Sequence, residues 1–426
     1  MIFGIHLTTV HSFLEIMKVI NSVIMTALGI FYINQVFFLI MSIFLPKKKY
    51  PEAKKNHNYG VIIAARNEEN VLGDLIDSIR NQNYPDELIH IFVVADNCSD
   101  NTAKVAREKG AIVFERFDEI KKGKSYALDF AFKNIFKDYQ ELDLEAFLIF
   151  DADNLLDKNF FKEINKGYDA GNIAITGFRA PKNFGDSWIS GGAGYMYLRE
   201  SRQVHHVRSK IKSSTYVSGT GYLIDKSIIE KDGGWIYNTL VEDIELSTAL
   251  VIDNKKIAFC EDAIFFDEQP PRLKDSYNQR LRWSKGNHQV FGQKGMKLLS
   301  SMIKRFSLSK WGMFVHILPM PALSFLWVIL FLLCGAVYYF VADVDFWYYF
   351  DNNLYIGLKD LIFPTFLALI SGFIVMIQCW KLLDCKPMKK IFYMLMFPIY
   401  MAIFLPITAI ALFIKVSWKE IRHGKK

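Results

Sequence analysis

The chain has 426 residues, a hydrophobic share of 51% and a net charge of +7. It is long enough for one catalytic domain plus several membrane helices, and too apolar for an ordinary soluble protein. The basic excess lies beside apolar stretches, at Lys47-Lys48-Lys49, Lys54-Lys55, Lys386, Lys389-Lys390 and the C-terminal tail, rather than on an aromatic-interleaved soluble face. That placement excludes a nucleic-acid partner and points to the lipid bilayer. Five cysteines are present and none forms a CxxC pair, which argues against a disulfide framework or a zinc site.

Apolar stretches of spanning length cover 19–45, 313–341, 361–383 and 391–416. The first lacks the basic start and small-residue cleavage site of a signal peptide. The lysine cluster behind it puts 47–312 in the cytosol. This divides the chain into an N-terminal transmembrane helix (1–46), a cytosolic catalytic domain with interface helices (47–312) and about three C-terminal spans with a basic tail (313–426). A multi-pass plasma-membrane protein is expected. The acidic segment 342–360 reads as an outer loop and the short basic link 384–390 as an inner one. Four spans then place the C-terminus outside, against the basic character of 415–426. Pro319, Pro321, Pro398 and Pro406 mark places where spans can kink.

Within the catalytic segment the pattern predicts strands over 60–65, 90–95, 111–115 and 146–150. Helices are predicted over 70–81, 102–109 and 125–136. Alternation of this kind predicts a parallel sheet with right-handed crossovers, whose ligands bind beyond the carboxyl ends of the strands. Arg66-Asn67-Glu68, Asp96-Asn97 and Asp151–Asp153 all fall just past strand ends. Residues 184–312 mix Trp, Tyr and Leu with Arg and Lys, and read as amphipathic helices lying at the bilayer surface.

Asp151-Ala152-Asp153 places two carboxylates on one side of a strand end. Hard oxygens of this kind suit Mg²⁺ or Mn²⁺ bridging to a diphosphate, although such a pair can also cap a helix. Glu242-Asp243 opens a helix predicted over 243–251. Helix capping explains it locally, and so does a general base, for which Asp243 is the candidate. In Gln279-Arg280-Leu281-Arg282-Trp283, Gln279, Arg282 and Trp283 share a helix face. Arg282 can steady diphosphate charge, and Trp283 offers a flat face to a sugar ring. Lys121-Lys122-Gly123-Lys124 can touch phosphate or stand as a solvated charge run. Ser218-Gly219-Thr220-Gly221 is flexible without being a P-loop, and His205-His206 reads as structural.

As an ordered set, Asp96, Asp151-Ala152-Asp153, Glu242-Asp243 and Gln279–Trp283 resemble the membrane-integrated, processive family 2 glycosyltransferases. These include the cellulose, hyaluronan, chitin and poly-N-acetylglucosamine synthases, and the resemblance covers roughly 60–300. It implies an α/β GT-A (Rossmann-like) domain with amphipathic interface helices, joined to an α-helical transmembrane region. It also implies a UDP-sugar donor, UDP-glucose or UDP-N-acetylglucosamine, and inversion to a β-linkage. The growing glycan, with a β-glucan favoured and mixed linkages included, would pass outward through the protein's own spans, with accessory membrane or extracellular export proteins as further partners. A poly-N-acetylglucosamine or chitin-type synthase and a non-processive transferase adding one sugar to a lipid acceptor are the alternatives. By the same resemblance Ala65, Arg66, Glu68, Asp96, Lys124, Asp151, Asp153, Gln279 and Arg282 bind the donor, and Asp151 and Asp153 hold Mg²⁺ or Mn²⁺. Asp243, beside Glu242, is the base, and Trp283, Gly219 and Thr220 border the acceptor. Val241 stands where the pattern has Thr.

Overall fold

The computed structural model describes residues 7–416, so the end of the basic tail, 417–426, lies outside the described residues. Helix α1 (Leu7–Phe44) leads into β1 (Tyr59–Ala65), α2 (Leu72–Arg80), β2 (Ile89–Asp96), α3 (Thr102–Glu108), β3 (Ile112–Arg116), α4 (Lys124–Asp138) and β4 (Ala146–Asp151). These four strands pair in parallel in the order β3-β2-β1-β4, each reached through a helical crossover. Side chains alternate cleanly between two cores. Val61, Ile63 and Ala65 face α2 on one side, and Ile62 faces α4 on the other. A strand buried on both faces reads as a continuous apolar run, which is why these elements are legible in the sequence.

Beyond β4 the sheet ceases to be parallel. The elements are β5 (Leu155–Leu156), α5 (Phe160–Asp169), β6 (Ala174–Pro181), α6 (Trp188–Arg199), a π-helical segment (Glu200–His205) and α7 (His206–Lys210). They continue with β7 (Tyr222–Asp225), α8 (Lys226–Asp232), α9 (Glu242–Ile252), β8 (Ala258–Asp267), α10 (Leu273–Lys304) and α11 (Leu308–Ile317). The strand order is β3-β2-β1-β4-β7-β6-β8-β5, with β7 antiparallel to both β4 and β6, and β8 parallel to β6. Residues 184–312 are therefore not all interface helices, because β7 and β8 complete the sheet. The short run Tyr222–Asp225 is too brief to carry a periodic signal of its own.

Helix α6 also departs from the expectation of a helix lying on a bilayer. It is buried on both faces, between β6 and the membrane helices. A Cβ added at Gly191 would stand 2.4 Å from the Tyr393 ring, and one at Gly192 2.5 Å from that of Tyr400. The glycines let the catalytic domain dock directly against a span.

The membrane part contains α12 (Met320–Ala342), α13 (Phe346–Tyr349), a π turn (Phe350–Leu354), α14 (Tyr355–Gln378), α15 (Pro387–Ala402) and α16 (Phe404–Phe413). Four stretches are long and apolar enough to cross a membrane: Phe13–Phe44, Met320–Ala342, Phe346–Gln378 and Pro387–Phe413. The expected loop over 342–360 is helical from Phe346 onward. Asp345 is used locally, accepting the N–H groups of Trp347 and Tyr348, while Asp360 accepts a 2.9 Å bond from distant Asn21 of α1. The last span breaks at Ile403, near Pro406, whose missing N–H cannot continue the helical ladder. There Arg280 donates to the Tyr400 carbonyl at 2.8 Å and lies over its ring at 3.6 Å.

The docking of α6 gives a direct test. Gly192→Val forces a side chain into the Tyr400 ring, so a loss of about 1–3 kcal/mol is expected as a lower unfolding midpoint in detergent. Gly292→Ala on α10, where nothing lies within 4 Å, should leave the midpoint unchanged or raise it.

Candidate active site

The carboxyl ends of β1, β2, β4, β6 and β8 meet along one edge of the sheet. They bring Arg66 and Glu68, Asp96, Asp151 and Asp153, Arg179 and Asp267 to the wall of a single cavity of about 750 Å³. Gln279, Arg282 and Trp283 of α10 and Glu242 and Asp243 of α9 line the same cavity. Ala65, Lys124 and Gly219 also line it. The sequence-predicted residues thus converge, with one exception. Thr220 is buried beneath the wall, where its hydroxyl accepts from the Asp151 N–H at 2.9 Å and donates to Asn154. It shapes the Asp151–Asn154 turn and does not reach the cavity.

Two loops are fixed by backbone geometry. Gly219 has φ +81°, a conformation that disfavours side chains. Its carbonyl accepts from Lys124 Nζ at 2.7 Å, and Lys124 also pairs with the Asp151 carboxylate. Lys124 is therefore a site residue and not part of a solvated charge run. At the end of β2, two strands from β4, Asp96 Oδ1 accepts from Arg116 and from Asn97 Nδ2.

Asp267 is the main residue that sequence reasoning missed. Asp151, Asp153 and Asp267 each offer a carboxylate oxygen, and these oxygens lie within 4.8 Å of one another. Three hard anionic donors at that spacing fit Mg²⁺ or Mn²⁺. Asp267 is held by Arg179 Nη2 at 2.6 Å, by Asn154 Nδ2 at 2.7 Å and by Gln269. Burial raises its pKa, against the pull of Arg179. Arg179 lies over the Tyr197 ring at 3.6 Å, and Tyr197 meets Trp283 edge-on at 6.2 Å. The acidic cluster is thereby linked to the aromatic end of the cavity. Asp267 ends a strand, as Asp96 and Asp151 do. The strand-end rule would have found it had β8 been recognised.

Glu242 and Asp243 do not act as helix caps. Val241 occupies the cap position without a side-chain bond, and it packs against Gly286 of α10, where an added Cβ would come within 2.7 Å. Both carboxyls are buried. Burial raises Glu242 to about 7, its like-charged neighbour adding to the shift while Lys124 and Arg282 oppose it. Burial also raises Asp243, against N–H groups from Ile244 and Gly219 and the charge of Lys124. Arg282 donates to the Leu240 carbonyl at 3.0 Å and so fixes the loop before this pair. His206 bonds Glu261 at 2.8 Å and the Leu45 carbonyl at 3.1 Å, a structural role as expected.

The family model described as "Glycosyltransferase like family 2" matches residues 57–286. The chain belongs to that family. It is a glycosyltransferase with a GT-A fold. Among curated proteins it is 28% identical over 274 residues to the probable glycosyltransferase YdaM of Bacillus subtilis, covering 57% of each chain. It is 27% identical over 233 residues to a poly-β-1,6-N-acetyl-D-glucosamine synthase of Staphylococcus epidermidis, covering 54% of each. A β-monoglucosyldiacylglycerol synthase of Trichormus variabilis is 25% identical over 244 residues, covering 54% of this chain and 49% of that one. The chain spans about half the length of the curated relatives it matches. Among solved structures, a mannosyltransferase of Pyrobaculum calidifontis, in complex with GDP-Man and Mn²⁺, superposes with a TM-score of 0.53 at 14% identity. That match covers 93% of this chain and 99% of the other, and it speaks to the fold.

Two measurements test the site. Asp267→Asn should weaken Mn²⁺ binding by at least about tenfold in titration calorimetry, since one of three anionic donors is lost. Glu242→Gln should raise the unfolding midpoint at pH 8. Because the folded-state pKa of Glu242 lies above its unfolded value, its contribution to stability is fully present below the unfolded value of 4.5 and lost as pH rises through about 7. The advantage of the variant should therefore vanish near pH 4.

Proposed function

We propose that this family 2 glycosyltransferase moves a hexosyl group from a UDP-sugar, with inversion to a β-linkage, onto a hydroxyl delivered from the membrane. The observation that carries the proposal is the continuity of one cavity. It joins the strand-end carboxylates, the Glu242–Asp243 pair and residues at the domain-side ends of α1 and α12. In this reading Ala65, Arg66, Glu68 and Asp96 hold the uridine. Lys124, Gln279 and Arg282 hold the diphosphate. Asp151, Asp153 and Asp267 would hold Mg²⁺ or Mn²⁺, which when bound neutralises the leaving diphosphate. Asp243 takes the proton of the acceptor hydroxyl as that oxygen attacks the anomeric carbon. Burial and the like-charged Asp243 raise Glu242 to about 7, so Glu242 can hold a proton beside Asp243, which is the member of the pair assigned as base. The lysines at 47–49 and 54–55 support a catalytic domain on the cytosolic side, over 47–312 between an N-terminal span and the C-terminal spans.

Where the cavity ends favours a single transfer onto a membrane lipid. Helix α1 lines it only through Phe31, Tyr32, Asn34 and Gln35, and α12 only through Met320 and Pro321. Helix α1 is about 57 Å long against a hydrocarbon core of about 30 Å, so these residues stand towards its domain side. Trp283 supports the second reading, a β-glucan extended processively and passed through the spans. It lines the cavity beside Tyr197, where a terminal sugar can stack.

Asp243→Asn should cut turnover by about 10²–10⁴ while UDP still binds. Wild-type kcat should fall with decreasing pH at a value above the ordinary carboxylate range, because Asp243 must be ionised and its pKa is raised. Near-normal turnover in Asp243→Asn would remove it as the base. Product sizing with each UDP-sugar separates a polymer from a glycolipid bearing one added sugar.

A further inference from the structure

The membrane end of the cavity carries two guanidinium groups that the transfer chemistry does not use. Arg208 is 4% exposed, donates to the Gly312 carbonyl at 3.1 Å, and has its Nε buried without a partner. Arg199 donates to Gln35 of α1 at 2.6 Å. Both line the cavity, and among the described residues neither forms an ion pair. Arg208 also lies 5.3 Å from the centre of the Tyr216 ring and 5.6 Å from that of Phe38, and a buried cation whose partners are neutral carbonyls and rings still favours an anion beside it.

The charged groups around them leave the balance positive. Glu200 faces both arginines, but its carboxylate accepts from Ser218 at 3.0 Å and lies 3.3 Å from His205. Burial would raise it, yet His205 and Arg179 outweigh that and hold it at about 2, so it is one fixed negative charge against two arginines. His316 is pushed down to about 4 by burial and by Arg208, so it is neutral. Arg179 is already committed to Asp267.

We infer that Arg199 and Arg208 hold a phosphate of the acceptor, which is an anionic lipid carrying that phosphate beside a free hydroxyl. The planar guanidinium fork matches phosphate oxygens, and Arg is only weakly hydrated. The pair lies against the domain-side part of α1 and against α11, where a lipid headgroup enters, rather than beside Lys124 and Asp96. The inference rests on the proposed transfer and names its acceptor.

The test uses the full-length protein in amine-oxide micelles, which carry neither phosphate nor hydroxyl. Four probes are titrated: phosphatidic acid, phosphatidylglycerol, diacylglycerol and inorganic phosphate. Both phospholipids should bind at least about tenfold more tightly than diacylglycerol or inorganic phosphate. Arg199→Gln and Arg208→Gln should each weaken phospholipid binding at least about tenfold, and Arg208→Lys should restore part of it. UDP affinity, shifting less than about twofold, reports an intact fold; if Arg208→Gln loses it, Arg199→Gln carries the test. Diacylglycerol binding as tightly as phosphatidic acid would overturn the inference. So would unchanged phospholipid binding in a folded Arg variant. Equal binding of inorganic phosphate would show a soluble-anion site and overturn the lipid assignment. Failure to turn over any UDP-sugar with any acceptor would instead count against the transfer itself and leave the binding result standing.

Discussion

The ion pair between Arg179 and Asp267 holds the mixed half of the sheet against the end of the parallel half, which Asp267 reaches through Asn154 at 2.7 Å. It connects the end of β6 to the end of β8, next to the Asp151–Asp153 turn of the parallel half. Without Arg179, Asp267 would face Asp151 and Asp153 across a few ångströms in a buried setting, where like charges repel strongly. Arg179 also lies over Tyr197, and Tyr197 meets Trp283. One guanidinium therefore ties the candidate metal cluster to the aromatic end of the cavity. A buried pair of this kind contributes less to stability than to geometry, because desolvation offsets much of its attraction.

The same logic applies to the link between chemistry and membrane. Helix α10 presents Gln279, Arg282 and Trp283 to the cavity and turns Arg280 the other way, into the broken span. The break between α15 and α16 disturbs the helical ladder, and Arg280 takes the Tyr400 carbonyl there. Lys285 does the same for the Ala411 carbonyl at 3.0 Å. With α6 pressed against Tyr393 and Tyr400 through its glycines, the catalytic domain and the last span are one packed body.

Family membership settles the reaction class and leaves the acceptor to the site. Relatives of similar identity carry the names of a polysaccharide synthase and of a glycolipid synthase. The Gln279–Trp283 signature, which in the sequence weighs towards a polymer, lines one side of the cavity with Gln279, Arg282 and Trp283. In the proposed reading, Gln35, Arg199 and Arg208 are where a lipid and a growing chain would be told apart.

The sequence by itself determined the parallel half of the sheet and the four apolar stretches long enough to span, and almost every site residue it predicted lines the cavity. Those features are written in local signals: continuous apolar runs for strands buried on both faces, long apolar stretches, and polar residues at strand ends. It did not reveal β7, the place of β8 in the sheet, or Asp267, because a four-residue strand has no readable period and its partners are chosen by long-range pairing. Local sequence also left the role of Glu242-Asp243 open, since capping explains two acids at a helix start equally well. Only the tertiary structure decided that Val241 caps instead, and that both acids are buried beside Lys124. The segment 342–360 reads locally as a loop yet is helical from Phe346, and Asp360 has in Asn21 of α1 a partner that no local reading could supply. Burial and partnership are properties of the folded chain, and they decide whether a charged residue caps a helix, pairs with a neighbour or faces a substrate.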